Sequence, residues 1–547
     1  MSRHRGGTAV LDLLIRGGRV VDGTGNPWFR ADVGVAGERI ADLGDLGGAS
    51  ARQVIDADGA AVAPGFIDLH THADFTLPRF PRADAMVRQG VTTQLVGNCG
   101  FSPFPVEPRR ADLLRTYAAF VDAGLAWTWT DAAGYASHLE TLPLGCNVAL
   151  QVGHGAVRIA AMGFDARDPT AQELATMQRL VANAMEQGAF ALSSGLIYVP
   201  GVYAGTDELV ALAEVVARYG GFYSSHIRGE GDTLVSAVAE ALAVGRRAGV
   251  PVQLSHHKAA GRRNWGRVEA TLTMIDAARA EGMDVLADQY PYTAGSTTLA
   301  ALVPAWALEG GVDALQRRLA DPQVRARIRT EILGSSSDDA RAPSREFDPA
   351  SIMISQIPDG PHKQFEGRWL AEIAAAWNVE PVEAALRLLE AERGGIQMIV
   401  FSMSEDDVRR VMRHPAVAIA SDGWTLHPSA GGRPHPRSYG TYARVLGKYV
   451  RDDGVLRLED AVRKMTSLPA QRLGCLDRGL IRPGCTADLV IFDPAQVIDR
   501  ATFEDPHQFC AGVSHVIVNG RVVIDEGADT GAAAGRVLRR GRPTAAA

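Results

Sequence analysis

A chain of 547 residues, 46% hydrophobic and 22% charged, has room for one large domain with a smaller one, or for about two to four average domains. Its formal net charge of −7 is small for this length and gives no reason to expect a nucleic acid or an anionic membrane as a partner. The five cysteines, Cys99, Cys146, Cys475, Cys485 and Cys510, lack paired spacing, which argues against a disulfide framework. The apolar stretch Ala9–Ile15 is too short for a signal-peptide core and carries Asp12. No run approaches the roughly eighteen apolar residues of a membrane span, so the cytoplasm is the expected compartment.

From Leu11 to Val62 the pattern is short strands with turn punctuation. Leu13–Gly23 reads as two strands around a Gly17-Gly18 turn, and Ala31–Val35 and Arg39–Leu43 continue the theme. Pro64-Gly65 then breaks the chain ahead of Phe66-Ile67-Asp68-Leu69-His70-Thr71-His72. Beyond it apolar runs recur at Val91–Val96, Asn147–Val152, Ala189–Leu192, Phe222–Ser225, Pro251–Leu254, Met283–Ala287 and Val417–Ala420. Helical periodicity fills several of the gaps. Gln172–Gln187 places Leu174, Met177, Leu180, Val181 and Met185 on one stripe after the start signal Asp168-Pro169-Thr170, and Asp207–Tyr219 and Thr233–Ala248 behave alike. Eight strands alternating with helices suggest a (β/α)8 barrel. A doubly wound open sheet is the alternative, but no Gly-rich phosphate loop follows an early strand.

Residues from about 303 to 397 lengthen the connection before the last strand, with helix-like pieces at Val312–Ala320 and Val382–Glu390. The polar run Ser335–Glu346 reads either as a surface loop or as part of a lid. Strand patterns return at Ala487–Asp493 and Val516–Ile524, so the two ends of the chain are expected to meet in one small β domain. The tail from Gly527, with Arg536, Arg539, Arg540 and Arg542 among Gly and Ala, reads as a solvated arm.

In a barrel of this kind the active site lies where the strands end. His70 and His72, two apart on a strand, point the same way and can face one metal ion. Cys99, His226, His256 and Asp422 stand at the ends of later strand patterns. Singly each has an ordinary reading: an inert buried thiol, a structural histidine, a turn aspartate. Together, five N/S donors and a carboxylate form a borderline-soft set that suits Zn²⁺. Spacing alone leaves open whether His256 or its neighbour His257 faces that set.

Several of these stretches resemble the D-aminoacylase (N-acyl-D-amino-acid deacylase) family of the amidohydrolase superfamily. The matching pieces include Pro64–His72, Gly97-Asn98-Cys99-Gly100, Ser194–Gly201, Ser225-His226-Ile227-Arg228, Ser255-His256-His257-Lys258 and Asp288-Gln289-Tyr290-Pro291-Tyr292. Further matches are Phe401–Glu405, Ser421-Asp422-Gly423, His435–Gly440, Met465–Ala470, Ala487–Val490 and Val518-Asn519-Gly520, so the resemblance spans nearly the whole chain. It implies a (β/α)8 barrel over 64–475, with an insertion at about 303–397, and a small β-sandwich built from 1–63 and 476–547. It also implies a tight zinc on Cys99, His226 and His256, which selects His256 over His257. A second, weaker metal position would use His70, His72 and Asp422, with Cys99 able to bridge. Many two-metal relatives bridge with a carboxylated lysine on the fourth strand; Ala189–Gly201 contains no lysine, and the Cys99 thiolate takes that place.

The implied reaction is hydrolysis of an N-acyl-D-amino acid. Asp422 would orient the attacking water, accept its proton and pass it to the leaving amine. Arg433 is expected to clamp the substrate α-carboxylate, with Tyr290 and Ser296 as hydroxyl partners and Lys258, Tyr198 and Met403 lining the pocket. Gly295–Leu302 adds no cation, which favours neutral or hydrophobic side chains. Two other functions compete. One is an amidohydrolase acting on a different linear or cyclic amide, as hydantoinases and dihydropyrimidinases do. The other is a non-enzymatic scaffold, which should have lost some of the six ligands. The expected partner is a small molecule, with homo-oligomerisation left open.

Overall fold

Eight short parallel strands run through the centre of the molecule. In the computed structural model, residues 10–120, 124–334, 347–357 and 360–541 are described. The strands are β1 (Phe66–Asp68), β2 (Val91–Val96), β3 (Asn147–Leu150, followed directly by the short Val152–Gly153), β4 (Ala191–Gly195), β5 (Phe222–His226), β6 (Val252–Leu254), β7 (Val285–Gln289) and β8 (Val417–Ile419). Every residue in them is buried, which explains why they read as apolar runs rather than alternating ones. β1–β2–β3 form one parallel sheet, and Val152–Gly153, β4, β5, β6, β7 and β8 follow in order in another. The free sides of β1 and β8 meet just beyond the strands: Thr71 and Gly423 form a parallel bridge, and the Asp422 N–H donates to the His70 carbonyl at 2.8 Å. Helices Ala171–Glu186, Thr206–Arg218, Leu234–Ala248 and Val268–Ala280 connect β3 through β7. The first starts on a capping box between Thr170 and Glu173, the start signal read in the sequence.

The two ends of the chain share a nine-stranded sheet. Its seam is Ala61–Pro64, which runs antiparallel to Leu489–Phe492 and parallel to the first strand. That first strand, Leu11–Val20, is continuous; the expected Gly17-Gly18 turn is a bulge, where pairing with Phe29–Ala36 slips between Ile15 and Gly18. Gly17 takes φ +68°, and a Cβ on Gly18 would lie 2.4 Å from Val62 Cγ2, so both positions need glycine.

Between β7 and β8 the chain builds an antiparallel sheet from Ala294–Thr298, Gln397–Phe401 and Ile352–Gln356, the second strand being central. It begins before and ends after the expected insertion. Helices Val312–Ala320, Leu370–Ala376 and Pro381–Ala391 pack with it around their own apolar cluster, which includes Leu315, Ile354, Leu386 and Met398. The polar run Ser335–Glu346 lies outside the described residues.

The tail is not a solvated arm. Val537–Leu538 adds a parallel strand beside β3, pairing Val537 with Val148 and Leu538 with Ala149. Arg536 reaches Glu38, Arg539 reaches Glu140, and Arg540 donates to the Leu473 and Gly220 carbonyls, so the cations hold the strand down. Arg542 lies outside the described residues. No helix among the described residues is long and apolar enough to cross a membrane.

Candidate active site

The six metal-binding candidates converge at the C-terminal ends of five strands. His70 and His72 follow β1, Cys99 follows β2, His226 ends β5, His256 follows β6 and Asp422 follows β8. Three of them leave their strands with positive φ: Cys99 (+55°), His256 (+35°) and Asp422 (+50°). Such backbone strain in non-glycine residues persists where the surroundings over-determine it, commonly at functional sites. The ligand atoms fall into two groups, each within 4.8 Å throughout: His70, His72, Cys99 and Asp422, and Cys99, His226 and His256. Cys99 Sγ belongs to both, 3.2 Å from His70 Nε2 and 3.4 Å from His256 Nε2. His226 Nδ1 lies 2.8 Å from His256 Nε2, and Asp422 Oδ1 is 3.2 Å from His72 Nε2 and 3.4 Å from His70 Nε2.

The electrostatics match a cation site. Burial opposes ionisation of Cys99, yet His70 and His256 together with hydrogen bonds from His226 and His256 bring its thiol well below the ordinary value. Burial also opposes ionisation of Asp422, while Arg437, His70 and His256 hold its carboxyl well below the usual range. These anions in turn hold a proton on their neighbours: against burial, contacts with Asp422 and Cys99 raise His72 to about 9. A buried thiolate and carboxylate surrounded by imidazoles form a donor set that fits zinc, and Cys99, His226 and His256 alone supply the three protein ligands of an open catalytic site.

Outer groups fix these ligands. Asp288 accepts from the His256 N–H (2.6 Å) and Gln253 Nε2 (2.8 Å) and stands 3.1 Å from His70 Nδ1, orienting two histidines from different strands. Asp68 accepts the N–H groups of His70 and Ser421, both at 3.1 Å, tying the ends of β1 and β8 together. Glu230, in the turn after β5, is 3.0 Å from His256 Nδ1 and 2.5 Å from Lys258 Nζ. His257 faces away, with Nε2 2.8 Å from Thr271 Oγ1.

A cleft of about 1430 Å³, counted to its open mouth, leads to the cluster. Of the substrate-contact candidates, Tyr198, Lys258, Tyr290, Ser296 and Met403 line it. Arg433 does not. Its side chain is exposed and donates to the Glu504 carbonyl at 2.9 Å. Two other arginines line the cleft: Arg262, which is exposed, and Arg437, 2% exposed, with Nη1 2.7 Å from Asp422 Oδ2 and its guanidinium 4.8 Å from the centre of the Tyr290 ring. Gly431 and Gly432, both at positive φ, turn the loop so that Arg433 faces out. The only sequence signal for Arg437 was its place in the His435-Pro436-Arg437 motif. Glu230 and Asp288 were also missed as site residues; Asp288 lies in a matched motif, whereas Glu230 had no motif of its own.

Fold and site together define an α/β protein with a buried His/Cys/Asp metal centre at the ends of parallel strands. The chain belongs to the amidohydrolase family, whose sequence profile matches residues 53–524. Over 530 residues, 97% of each chain, it is 42% identical to the N-acyl-D-glutamate deacylase of Alcaligenes xylosoxydans xylosoxydans. It is 39% identical over 534 residues to the D-aminoacylase of the same organism, covering 97% of this chain and 98% of the relative. The crystal structure of N-acyl-D-glutamate deacylase from Bordetella bronchiseptica, complexed with zinc and a phosphonate mimic of the tetrahedral intermediate, matches with a TM-score of 0.81 at 38% identity. That match covers 97% of this chain and 100% of the other.

Proposed function

We propose that this protein is a zinc-dependent deacylase of N-acyl-D-amino acids, releasing a D-amino acid and a carboxylic acid. The observation that carries this reading is Arg437: a buried guanidinium beside Asp422, placed to bind a substrate carboxylate next to the metal ligands. Full-length likeness to deacylases of this class supports it.

Cys99, His226 and His256 would hold the tight metal, and His70, His72 and Asp422 a second, weaker one. Zinc bound there supplies Lewis-acid activation of water and of the scissile carbonyl. The chain's residues do the rest. Arg437, Tyr290 and Ser296 receive the α-carboxylate; the Ser296 Oγ is buried with no hydrogen-bond partner among the described residues, as a group awaiting a ligand would be. Asp422 Oδ1 takes the proton of the attacking water and delivers it to the amide nitrogen as the C–N bond breaks and the new C–O bond remains. Because Arg437 pairs with Asp422 in the free protein, an arriving carboxylate competes for that guanidinium and leaves Asp422 a stronger base.

Lys258 is engaged by Glu230, and Leu302, Ile352, Met398 and Val400 line one wall of the cleft, which favours neutral or hydrophobic side chains. We further read the eight strands as a closed (β/α)8 barrel over 64–475 and the terminal segments 1–63 and 476–547 as a β-sandwich. The Thr71–Gly423 bridge supports closure. The test is hydrolysis of N-acetyl-D- and N-acetyl-L-methionine with metal content measured on the same sample. Strict D-activity, lost to a chelator and restored by zinc, is the expected result. Inactivity on both enantiomers with zinc bound would refute the reading and direct attention to cyclic imides.

A further inference from the structure

A second cavity, of about 800 Å³ counted to its open mouth, lies next to the active-site cleft. The two share Phe101, Phe120, Ile197 and Tyr198 as a common boundary. Beyond it the walls are Phe164, Ala300, Ala301, Val303, Leu308 and Leu315, and among the described residues no charged side chain lines the space. It is bounded by the segments that follow β2, β3 and β4 on one side and by residues from Thr298 to Leu315 on the other.

The residues of the carboxylate clamp, Arg437, Tyr290 and Ser296, line the cleft and not this cavity. The strand Ala294–Thr298 runs from one to the other. Ser296 faces the cleft, where its carbonyl is 3.5 Å from Arg437 Nη2. Thr297 Oγ1 is 2.9 Å from Tyr198 OH, and Thr298 lines the second cavity. Tyr198 packs edge-on against His226 at 5.2 Å and against Phe101 at 5.0 Å, placing the shared boundary beside the metal ligands. In an N-acyl amino acid the carboxylate and the acyl tail lie on opposite sides of the scissile carbonyl. With the carboxylate on Arg437 and the carbonyl at the ligands, the tail is directed at Phe101 and Tyr198.

We propose that this cavity is an acyl-chain site and that the natural substrates carry medium-chain fatty acyl groups; the proposal rests on the deacylase reading. An apolar chamber without a cation cannot receive the carboxylate of an acidic side chain at acceptable cost, whereas each methylene buried in it is favourable. The acyl product would be a fatty acid rather than acetate.

Two series test this: N-acetyl- through N-octanoyl-D-alanine, varying the acyl group, and N-acetyl-D-amino acids with straight side chains of the same lengths. kcat/KM is expected to rise about two- to fourfold per methylene in the first series, roughly 60- to 4000-fold over the six methylenes added. Ala301→Phe and, separately, Ala300→Phe should bring N-octanoyl-D-alanine to near the acetyl rate while N-acetyl-D-alanine is unchanged, which also reports correct folding. No gain with acyl length, or a gain confined to the side-chain series, overturns the proposal. Octanoate binding, followed by calorimetry, separates the two readings. Binding to the wild type that is lost in Ala301→Phe supports the cavity even if no substrate is cleaved. Absence of binding together with absence of chain preference overturns it.

Discussion

Arg433 lies in the loop that leads to the helix Arg437–Arg444, which Arg437 opens, and their different surroundings lead to opposite expectations. Truncating Arg437 removes a buried charge pair and the proposed carboxylate clamp, so Arg437→Ala should lower kcat/KM on the order of 100- to 1000-fold. A D-amino amide derivative, lacking the carboxylate, should lose much less. Arg433→Ala should change kcat/KM less than about twofold, as exposed substitutions usually do. A second expectation concerns the ligands. His70 is raised well above its ordinary value and His72 to about 9, so without a cation both carry protons at neutral pH. Ligating imidazoles must be neutral, so metal and protons compete and apparent affinity for zinc at the His70, His72 and Asp422 position falls as pH drops from 9 towards 6. Calorimetric titration of metal-stripped protein in buffers of different ionisation enthalpy reads the protons released. The six donor residues that converge at the strand ends were legible in the sequence because each follows or closes an apolar run. That Arg437 and not Arg433 lines the cleft was not, because it depends on which way the chain turns at Gly431 and Gly432.

Among the elements, the strands were legible for a physical reason: buried on both faces, they carry unbroken apolar runs that stand out between amphipathic helices. Glycine pairs are less informative, since a turn and a bulge make the same demand for positive φ. The helix Leu458–Met465 carries another feature hidden from pattern reading. Lys464 is buried and donates to the carbonyls of His414 and Val417, just before and at the start of β8. Burial pushes its amine down to about 7 from an ordinary 10.5. The unfolded chain therefore binds more protons between those values, and stability rises with pH across that window. Lys464→Met should flatten the rise: the gain in melting temperature from pH 7 to pH 9.5 shrinks relative to the wild type.

At the scale of the molecule, distant segments complete one another. The inserted segment contributes Ser351, Ile352 and Met398 to the cleft, so it forms part of the site's wall. The tail was misread because arginines among glycines look solvated until their partners on other elements are known. Deleting residues 536–547 removes the strand beside β3 and the burial of Val537, with an expected loss of about 2–4 kcal/mol. Thermal denaturation would show it; an unshifted melting temperature would restore the solvated arm.

The seam between Ala61–Pro64 and Leu489–Phe492 also sets an order of events during synthesis. The early strand leaves the ribosome roughly 400 residues before its partner, an interval on the order of 20–80 s at about 5–20 residues per second. Throughout that time its edge is unpaired and open to other nascent chains. Production of this protein should therefore be limited by crowding of unfinished chains, and slower expression at lower temperature should increase the soluble yield.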